Sequence, residues 1–346
     1  MIFIPTLRAG GAEKVATILA NNWSNKGHNV VLCIIYGSEI FQEINTNVKV
    51  IALDERYSIY NKSKIPYYLR LTFKKESPDI IQSFLTEYNI LCLASTICLN
   101  IPIFVSDRAS PLVDRGWKVE FLRKLLYMRA AGVIAQTNLA KDILLNKINN
   151  KNIIVIPNPV KLNSLEKNYA HKRNVILNVG RLVAEKGQLD LIKAFVGLGD
   201  ICDSWELVIV GEGPERERLE KEINLSGLTN IRLVGQKSNV DEYYCTASIF
   251  AFTSFSEGFP NALAEAMSYG LPVVSYDCIA GPRDLIDDGS SGFLIGVNDI
   301  NGLANILERL ILNADLRNVI GTNASNRMTK NSDILIAEKW LNFISL

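Results

Sequence analysis

At 346 residues the chain is too long for one ordinary hydrophobic core and suits two domains. Its 48% hydrophobic and 21% charged residues exclude a disordered chain, and a net charge of +1 leaves no electrostatic footprint for nucleic acid. The small total conceals an asymmetry: residues 1–160 carry 19 Lys and Arg against 12 Asp and Glu, whereas residues 161–346 carry 18 against 24. A basic first half turned toward an anionic acceptor or membrane surface fits this, and so does a surface composition without consequence.

The chain enters a strand at Ile2–Pro5 with no secretory signal pattern before it, so a cytoplasmic location is expected. A loop with Gly10 and Gly11 then opens a helix over Ala12–Lys26. Paired glycines leave backbone N–H groups open, and a helix N-terminus adds partial positive charge, which suits a phosphate or sugar. A tight turn is the plain alternative. Strands follow at Asn29–Ile35, Lys49–Ala52 and Ile80–Ser83, with a basic, aromatic stretch at residues 57–75. Tyr88–Ser106 holds no charge for 19 residues but contains Asn89, Asn100 and Pro102, so it reads as a buried helix followed by a buried strand rather than a membrane span. Trp117–Arg129 is a helix with Trp117, Phe121, Leu125 and Met128 on one face and Lys118, Arg123, Lys124 and Arg129 beside it. That face either rests on the domain core or lies on an anionic membrane or lipid diphosphate. Strands at Gly132–Ala135 and Ile153–Ile156 lead to Pro157-Asn158-Pro159, and polar residues 161–174 follow, which sets a domain seam near residue 160.

The second half repeats the alternation, with strands at Val175–Val179, Trp205–Val210, Ile231–Val234, Ser248–Phe252, Pro272–Tyr276 and Gly292–Ile295. Helices are expected at Gln188–Leu198, Pro214–Leu225, Val240–Tyr244, Asn261–Tyr269, Arg283–Ile286 and Ile300–Asn313. After the first of these strands, Arg181 and Lys186 stand in a glycine-flanked loop, a spacing that suits a diphosphate; an Arg181–Glu185 surface pair is the alternative. Gly211 and Gly213 follow the second strand and permit close approach of a ligand, while Glu215 and Glu217 read as surface ion-pair partners. The run Ser254–Val274 carries the strongest signal. Glu257 lies in a loop, Gly258, Phe259 and Pro260 turn the chain, Asn261 is placed to cap a helix, and Glu265 lies within its first two turns. Two carboxylates around a helix N-terminus can fix sugar hydroxyls; Glu257 as a simple dipole partner is the alternative. Asp287 and Asp288 read as turn residues rather than metal ligands. A terminal helix over 333–346, apolar at Ile336, Trp340 and Phe343, is expected to pack back on the first domain. The six cysteines read as small core residues, and two histidines leave little for a metal site.

Two consecutive strand–helix alternations imply an α/β protein of two doubly wound, Rossmann-like domains, 1–160 and 161–332, with a ligand site in the cleft between them. Taken together, the segments GGAEKV, GRLVAEKG, VGEGP, EGFPNALAEAMSYGLPVV and AGPRDLIDDGSSGFL resemble the retaining glycosyltransferases of family four, which have the GT-B architecture. The resemblance spans nearly the whole chain and is most specific at Glu257 and Glu265, eight residues apart. It implies a metal-independent, retaining enzyme whose second domain binds a nucleoside-diphosphate sugar and whose first binds the acceptor, with UDP favoured over GDP through a finer similarity. Arg181 and Lys186 would hold the diphosphate, and Glu265 the ribose. Glu257 with Gly258, Phe259, Pro260 and Asn261 would hold the transferred hexose or N-acetylhexosamine, with Gly10 and Gly11 near its phosphate and Gly211 lining the donor site. Finer similarity to bacterial transferases that extend polyprenyl-diphosphate-linked or lipopolysaccharide glycans implies a lipid-linked or polysaccharide acceptor and peripheral contact with the inner face of the membrane. The chain departs from the family after its fifth strand, where Ser106-Asp107-Arg108 stands in place of a histidine, so Asp107 or Arg108 is the expected acceptor contact. A nucleotide-sugar epimerase or hydrolase, or a silent sugar-nucleotide-binding subunit, are the competing readings; the second fits poorly with Arg181, Lys186 and Glu257 all present.

Overall fold

The computed structural model describes residues 1–8, 10–37, 40–58, 61–162 and 172–345. Two compact units emerge, Met1–Pro159 together with Asp333–Leu346, and Val160–Ser332. Most of the polar seam segment, residues 163–171, lies outside the described residues, as do residues 59 and 60 of the basic, aromatic stretch.

The first unit runs β1 (Ile2–Ile4), α1 (Gly11–Asn25), β2 (Val31–Ile34), β3 (Lys49–Ala52), α2 (Leu53–Tyr57), α3 (Ile65–Glu76), β4 (Ile81–Phe84) and α4 (Thr86–Ser95). It continues through β5 (Ile103–Ser106), α5 (Trp117–Leu126), β6 (Gly132–Ala135), α6 (Asn138–Lys147) and β7 (Ile153–Val155). Its seven strands are all parallel, in the order β3-β2-β1-β4-β5-β6-β7. Parallel strands covered by helices on both faces are mostly apolar, which is why most of these runs read as short blocks of Ile, Val, Phe and Leu, with Gln82 and Ser83 of β4 among the buried exceptions.

The second unit runs β8 (Val175–Val179), α7 (Gln188–Val196), β9 (Glu206–Val210), α8 (Arg216–Ser226), β10 (Ile231–Leu233), α9 (Asp241–Thr246) and β11 (Ile249–Phe252). It closes with α10 (Asn261–Ser268), β12 (Val273–Tyr276), α11 (Pro282–Leu285), β13 (Phe293–Ile295), α12 (Ile300–Leu312) and α13 (Ala314–Met328). Its six strands are also parallel, in the order β10-β9-β8-β11-β12-β13. In both sheets the strand order reverses beside the first strand, between β1 and β4 and between β8 and β11. At such switch points the loops diverge to opposite faces and leave room for a ligand at the carboxyl edge.

The last helix, α14 (Asp333–Ile344), belongs to the first unit. Trp340 is fully buried and stacks on Phe84, Trp23 Nε1 donates to Ala337 O at 3.0 Å, and Phe343 lies edge-on to Phe104. All thirteen strand runs of the sequence are strands here, whereas helices α3, α6 and α13 are not among the expected elements. The uncharged run at 88–106 divides into α4 and β5, and no helix among the described residues is long and apolar enough to cross a membrane. The cysteine expectation needs one correction. Cys33, Cys92, Cys202 and Cys278 are buried, but Cys98 is exposed, in a left-handed turn after α4.

Candidate active site

In the second unit, three loops at the carboxyl edge are laced together before any side chain is considered. The loop after β8 is closed by Gly187, at φ +61°, where an added Cβ would lie 2.2 Å from Thr253 O. Thr253 Oγ1 donates to Lys186 O at 2.9 Å, and Phe255 N donates to Glu185 O at 2.8 Å, so the loops after β8 and β11 share hydrogen bonds. The loop after β9 closes on the same place, because a Cβ on Gly211 would meet Gly180 O at 1.8 Å. Leu182 N donates to Glu212 O, and Glu215 N to Leu182 O, both at 3.0 Å. Gly211 is thus required by the approach of two backbones, whatever else it contacts.

These loops carry Lys186 and Glu257 to opposite sides of the β8/β11 switch point, where Lys186 Nζ meets Glu257 Oε1 at 2.5 Å. Both side chains are mostly buried, 22% and 11% exposed. The Lys186 ammonium also lies 6.0 Å from the Phe252 ring centroid. Arg181 is exposed, and its guanidinium has no hydrogen-bond or ion-pair partner among the described residues, so the expected alternative of a pair with Glu185 is absent there. The Cys278 thiol sits by the pair: burial pushes its pKa up to about 12, Glu257 adds to this and Lys186 opposes it, which leaves a neutral, inert thiol.

Phe259 and Pro260 are buried, and Asn261 begins α10. This corrects the expected cap: Pro260 occupies the N-cap position, no side chain caps the helix, and Asn261 is its first helical residue. The leading N–H groups of α10 are therefore not taken by a capping side chain. Glu265, one turn further on, accepts from Tyr244 Oη at 3.2 Å. Tyr244 is 1% exposed and stacks on Tyr269 at 5.2 Å, and burial followed by the charge of Glu265 raises its pKa well above the ordinary tyrosine value. Tyr244 thus stays a proton donor that orients Glu265. Nothing in the sequence pointed to it, because the pairing joins α9 and α10 across 21 positions.

Asp287 pairs with Arg327, and Asp288 Oδ1 accepts from Leu294 N at 2.9 Å, so both carboxylates are engaged in holding their turn. Of the two glutamates expected to form ion pairs, Glu215 pairs with Arg218 at 2.9 Å, whereas Glu217 has no ion pair among the described residues and Arg216 uses Glu212 and Glu220. Among the described residues no group of three or more His, Cys, Asp or Glu side chains is gathered where it could hold a metal.

In the first unit, Gly10 is the N-cap of α1 with extended backbone, and Gly11 is the first helical residue. Glu13, from the first turn, folds back over Gly10, where a Cβ would lie 2.1 Å from Glu13 Oε2. Burial raises its pKa, opposed by its own backbone and by Thr6, whose Oγ1 lies 3.5 Å from Glu13 Oε1. The carboxylate, rather than the glycine pair alone, gives this loop its chemistry.

Asp107 is not an open acceptor contact. Its carboxylate accepts from Thr86 Oγ1 at 2.8 Å, Tyr127 Oη at 2.7 Å and Asn89 Nδ2 at 3.3 Å, and it pairs with Arg123. Burial by itself would raise its pKa, but Arg123, Tyr127 and Thr86 outweigh burial and hold it below the ordinary aspartate value. This network also turns α5 over. Arg123, expected on a flank, is the buried residue at 5% exposure. The apolar row looks outward instead: Trp117 is 75% exposed, Phe121 62%, Leu125 49% and Met128 50%. Of the two readings of this row, the one that rests it on the domain core is therefore excluded.

A parallel-sheet unit on each side of residue 160, with site residues gathered at a switch point, defines a protein of the GT-B class. A model of glycosyltransferase family 4 matches residues 9–164, and a model of glycosyl transferases group 1 matches residues 162–327. The chain belongs to these glycosyltransferases. It is 29% identical over 356 residues to a Campylobacter jejuni GalNAc-alpha-(1->4)-GalNAc-alpha-(1->3)-diNAcBac-PP-undecaprenol alpha-1,4-N-acetyl-D-galactosaminyltransferase, covering 99% of this chain and 97% of that protein. The Anabaena HepE structure in complex with UDP and glucose matches with a TM-score of 0.84 at 18% identity, over 99% of this chain and 98% of that one. S. aureus TarM, in complex with UDP, matches 81% of this chain with a TM-score of 0.70 at 23% identity, and the match spans 59% of TarM.

Proposed function

We propose that the chain is a retaining, metal-independent glycosyltransferase that moves a hexose or N-acetylhexosamine from a UDP-sugar to a lipid-linked or polysaccharide glycan. The observation that carries this reading is the Lys186–Glu257 pair at the β8/β11 switch point, with Arg181, whose guanidinium has no partner among the described residues, in the same loop as Lys186. Departure of the nucleoside diphosphate leaves oxocarbenium character on the sugar and negative charge on the β-phosphate. Arg181 and Lys186 oppose that charge, with the leading N–H groups of α10 adding partial positive charge. An arriving diphosphate competes with Glu257 for Lys186, and the carboxylate so released is free to accept from sugar hydroxyls. Glu265, oriented by Tyr244, takes the ribose. The fixed cations do the work a metal does elsewhere, and the departing phosphate assists removal of the acceptor proton on the same face.

The UDP in the HepE and TarM structures and the polyprenyl-diphosphate acceptor named for the Campylobacter relative support the donor and acceptor classes. The test is donor consumption by the purified protein across UDP- and GDP-sugars in EDTA, with and without a polyprenyl-diphosphate glycan. Acceptor-dependent release of nucleoside diphosphate from one donor is expected. Donor conversion without acceptor would instead indicate an epimerase or hydrolase, and binding without turnover a silent subunit.

The outward apolar row of α5, flanked by Lys118, Lys124 and Arg129, supports contact with an anionic membrane surface during transfer to a lipid-linked acceptor. The protein should sediment with vesicles containing anionic lipid, and Trp117→Ser with Phe121→Ser should lower that binding by about tenfold or more, from the apolar area no longer buried. Equal sedimentation of the double variant would remove α5 from the contact.

A further inference from the structure

Buried hydrogen-bonding groups without partners among the described residues occur at the carboxyl edge of the first sheet, on Arg108 and Trp340. Arg108 follows β5 there, and its Nη1 donates to Asn158 Oδ1, which also accepts from Gln136 Nε2 at 3.0 Å. Its Cζ lies 4.9 Å from the Trp340 ring centroid and 5.4 Å from that of Phe84. Both rings are close enough to attract the guanidinium as a cation. Arg108 Nε and Nη2 are closed off from solvent and have no hydrogen-bond partner among the described residues, and the same is true of Trp340 Nε1. The neighbouring carboxylate cannot serve them, because Asp107 is committed to Arg123, Tyr127, Thr86 and Asn89.

Nε and Nη2 form one edge of a guanidinium, with parallel N–H bonds at the spacing of two oxygens on a carboxylate or phosphate. Folded proteins rarely leave buried N–H groups unpaired, and here two occur on Arg108 and one on Trp340, whose ring lies against the guanidinium. A purely structural pillar would use Nη1 of Arg108 and its contacts with the two rings, and leaves the unpaired Nε and Nη2 unexplained. We infer that Arg108, with Trp340 Nε1 beside it, forms an oxyanion site in the first unit that takes a phosphate or diphosphate along the Nε–Nη2 edge. The choice of phosphate over carboxylate rests on the proposed transfer reaction, whose donor and lipid-linked acceptor both carry phosphoryl oxygens. Burial lowers the Arg108 pKa and Asp107 opposes the shift, so an anion bound at the edge also relieves a cation held out of water. Asp107, the residue before Arg108, grips Arg123 of α5, which ties this edge to the helix carrying the outward apolar row.

The test uses the full chain labelled with 15N at its four tryptophans, Trp23, Trp117, Trp205 and Trp340, in a buffer without phosphate. Trp340→Phe assigns the Trp340 indole N–H signal. Inorganic pyrophosphate should shift that signal saturably in the wild type and also in Lys186→Ala, which lacks the second-unit cation. Arg108→Lys keeps the charge but loses the edge, and should weaken the titration by about tenfold or more. The other three indole signals report whether that variant is folded. A Trp340 signal that does not move in the wild type overturns the site, as does equal affinity in folded Arg108→Lys or loss of the shift in Lys186→Ala. A prenyl diphosphate and UDP, titrated separately, then assign the phosphate to acceptor or donor, and a shift by either supports the site. The readout needs no turnover. Acceptor-dependent transfer without a shift removes this site alone, and a shift without transfer removes the transferase reading alone.

Discussion

Lys186→Ala should lower kcat about a hundredfold, a loss of about 3 kcal/mol in transition-state stabilisation. Lys186 is held from both sides, by the hydrogen bond from Thr253 to its carbonyl and by Glu257 at its ammonium, so its charge is placed before substrate arrives. Such placement costs little reorganisation during reaction, and its removal should therefore fall on kcat more than on KM. Glu257 loses its partner in this variant but remains able to bind sugar hydroxyls. Steady-state kinetics with the donor found in the EDTA panel would check this, with thermal unfolding as the control for fold. Near-native turnover in a folded Lys186→Ala protein would exclude Lys186 from charge stabilisation and with it the mechanism proposed above.

Asp107→Asn should destabilise the first unit by about 3–5 kcal/mol, because it leaves Arg123 buried without its carboxylate. The Arg123 side chain is only 6% exposed, and Glu120, its remaining acidic partner, lies at 3.3 Å on the same helix and is more open to water. For a unit of this size the midpoint should fall by on the order of 10 °C. The pH dependence has a defined sign. Asp107 has a folded pKa below its ordinary value of 3.8, so its contribution is present above that value and is lost as pH falls through the lower folded value. Wild type should keep the advantage at pH 5 and lose it below pH 3.8, whereas Asp107→Asn should lack this acid limb. Calorimetry across pH 3 to 7 measures both; a difference under about 1 kcal/mol at neutral pH would mean that Arg123 finds another acceptor.

The strands and the donor-side residues were legible for different physical reasons. A parallel strand covered on both faces has no polar side, so Ile103–Ser106 and Ile249–Phe252 stand out as short apolar blocks without any partner being known. Glu257 and Glu265 were legible because a loop carboxylate, a turn and a helix start leave a local pattern within nine residues. The partners of these groups were not. Lys186 is 71 positions from Glu257, Tyr244 is 21 from Glu265, and Asp107 is 16 from Arg123. A side chain's charge can be read locally, but what neutralises it depends on which strand ends lie side by side.

Helix α5 divides the two kinds of information most clearly. Its sequence determined that Trp117, Phe121, Leu125 and Met128 share one face, since a 3.6-residue period requires nothing beyond the helix itself. It did not determine whether that face turns inward. Burial of the Arg123–Asp107–Tyr127 network decided the orientation, and that network exists only once β5 and the end of α5 are brought together. In the same way, composition and alternation determined two parallel α/β units, and residue spacing determined that Arg181, Lys186 and Glu257 each follow a strand and that Glu265 lies in the early turns of a helix. Only the tertiary structure decided that Lys186 and Glu257 pair across a switch point and that Nε and Nη2 of Arg108 are buried without a hydrogen-bond partner among the described residues. Hydrogen-bond satisfaction in a low-dielectric interior is a property of all neighbouring elements at once and of none of them alone.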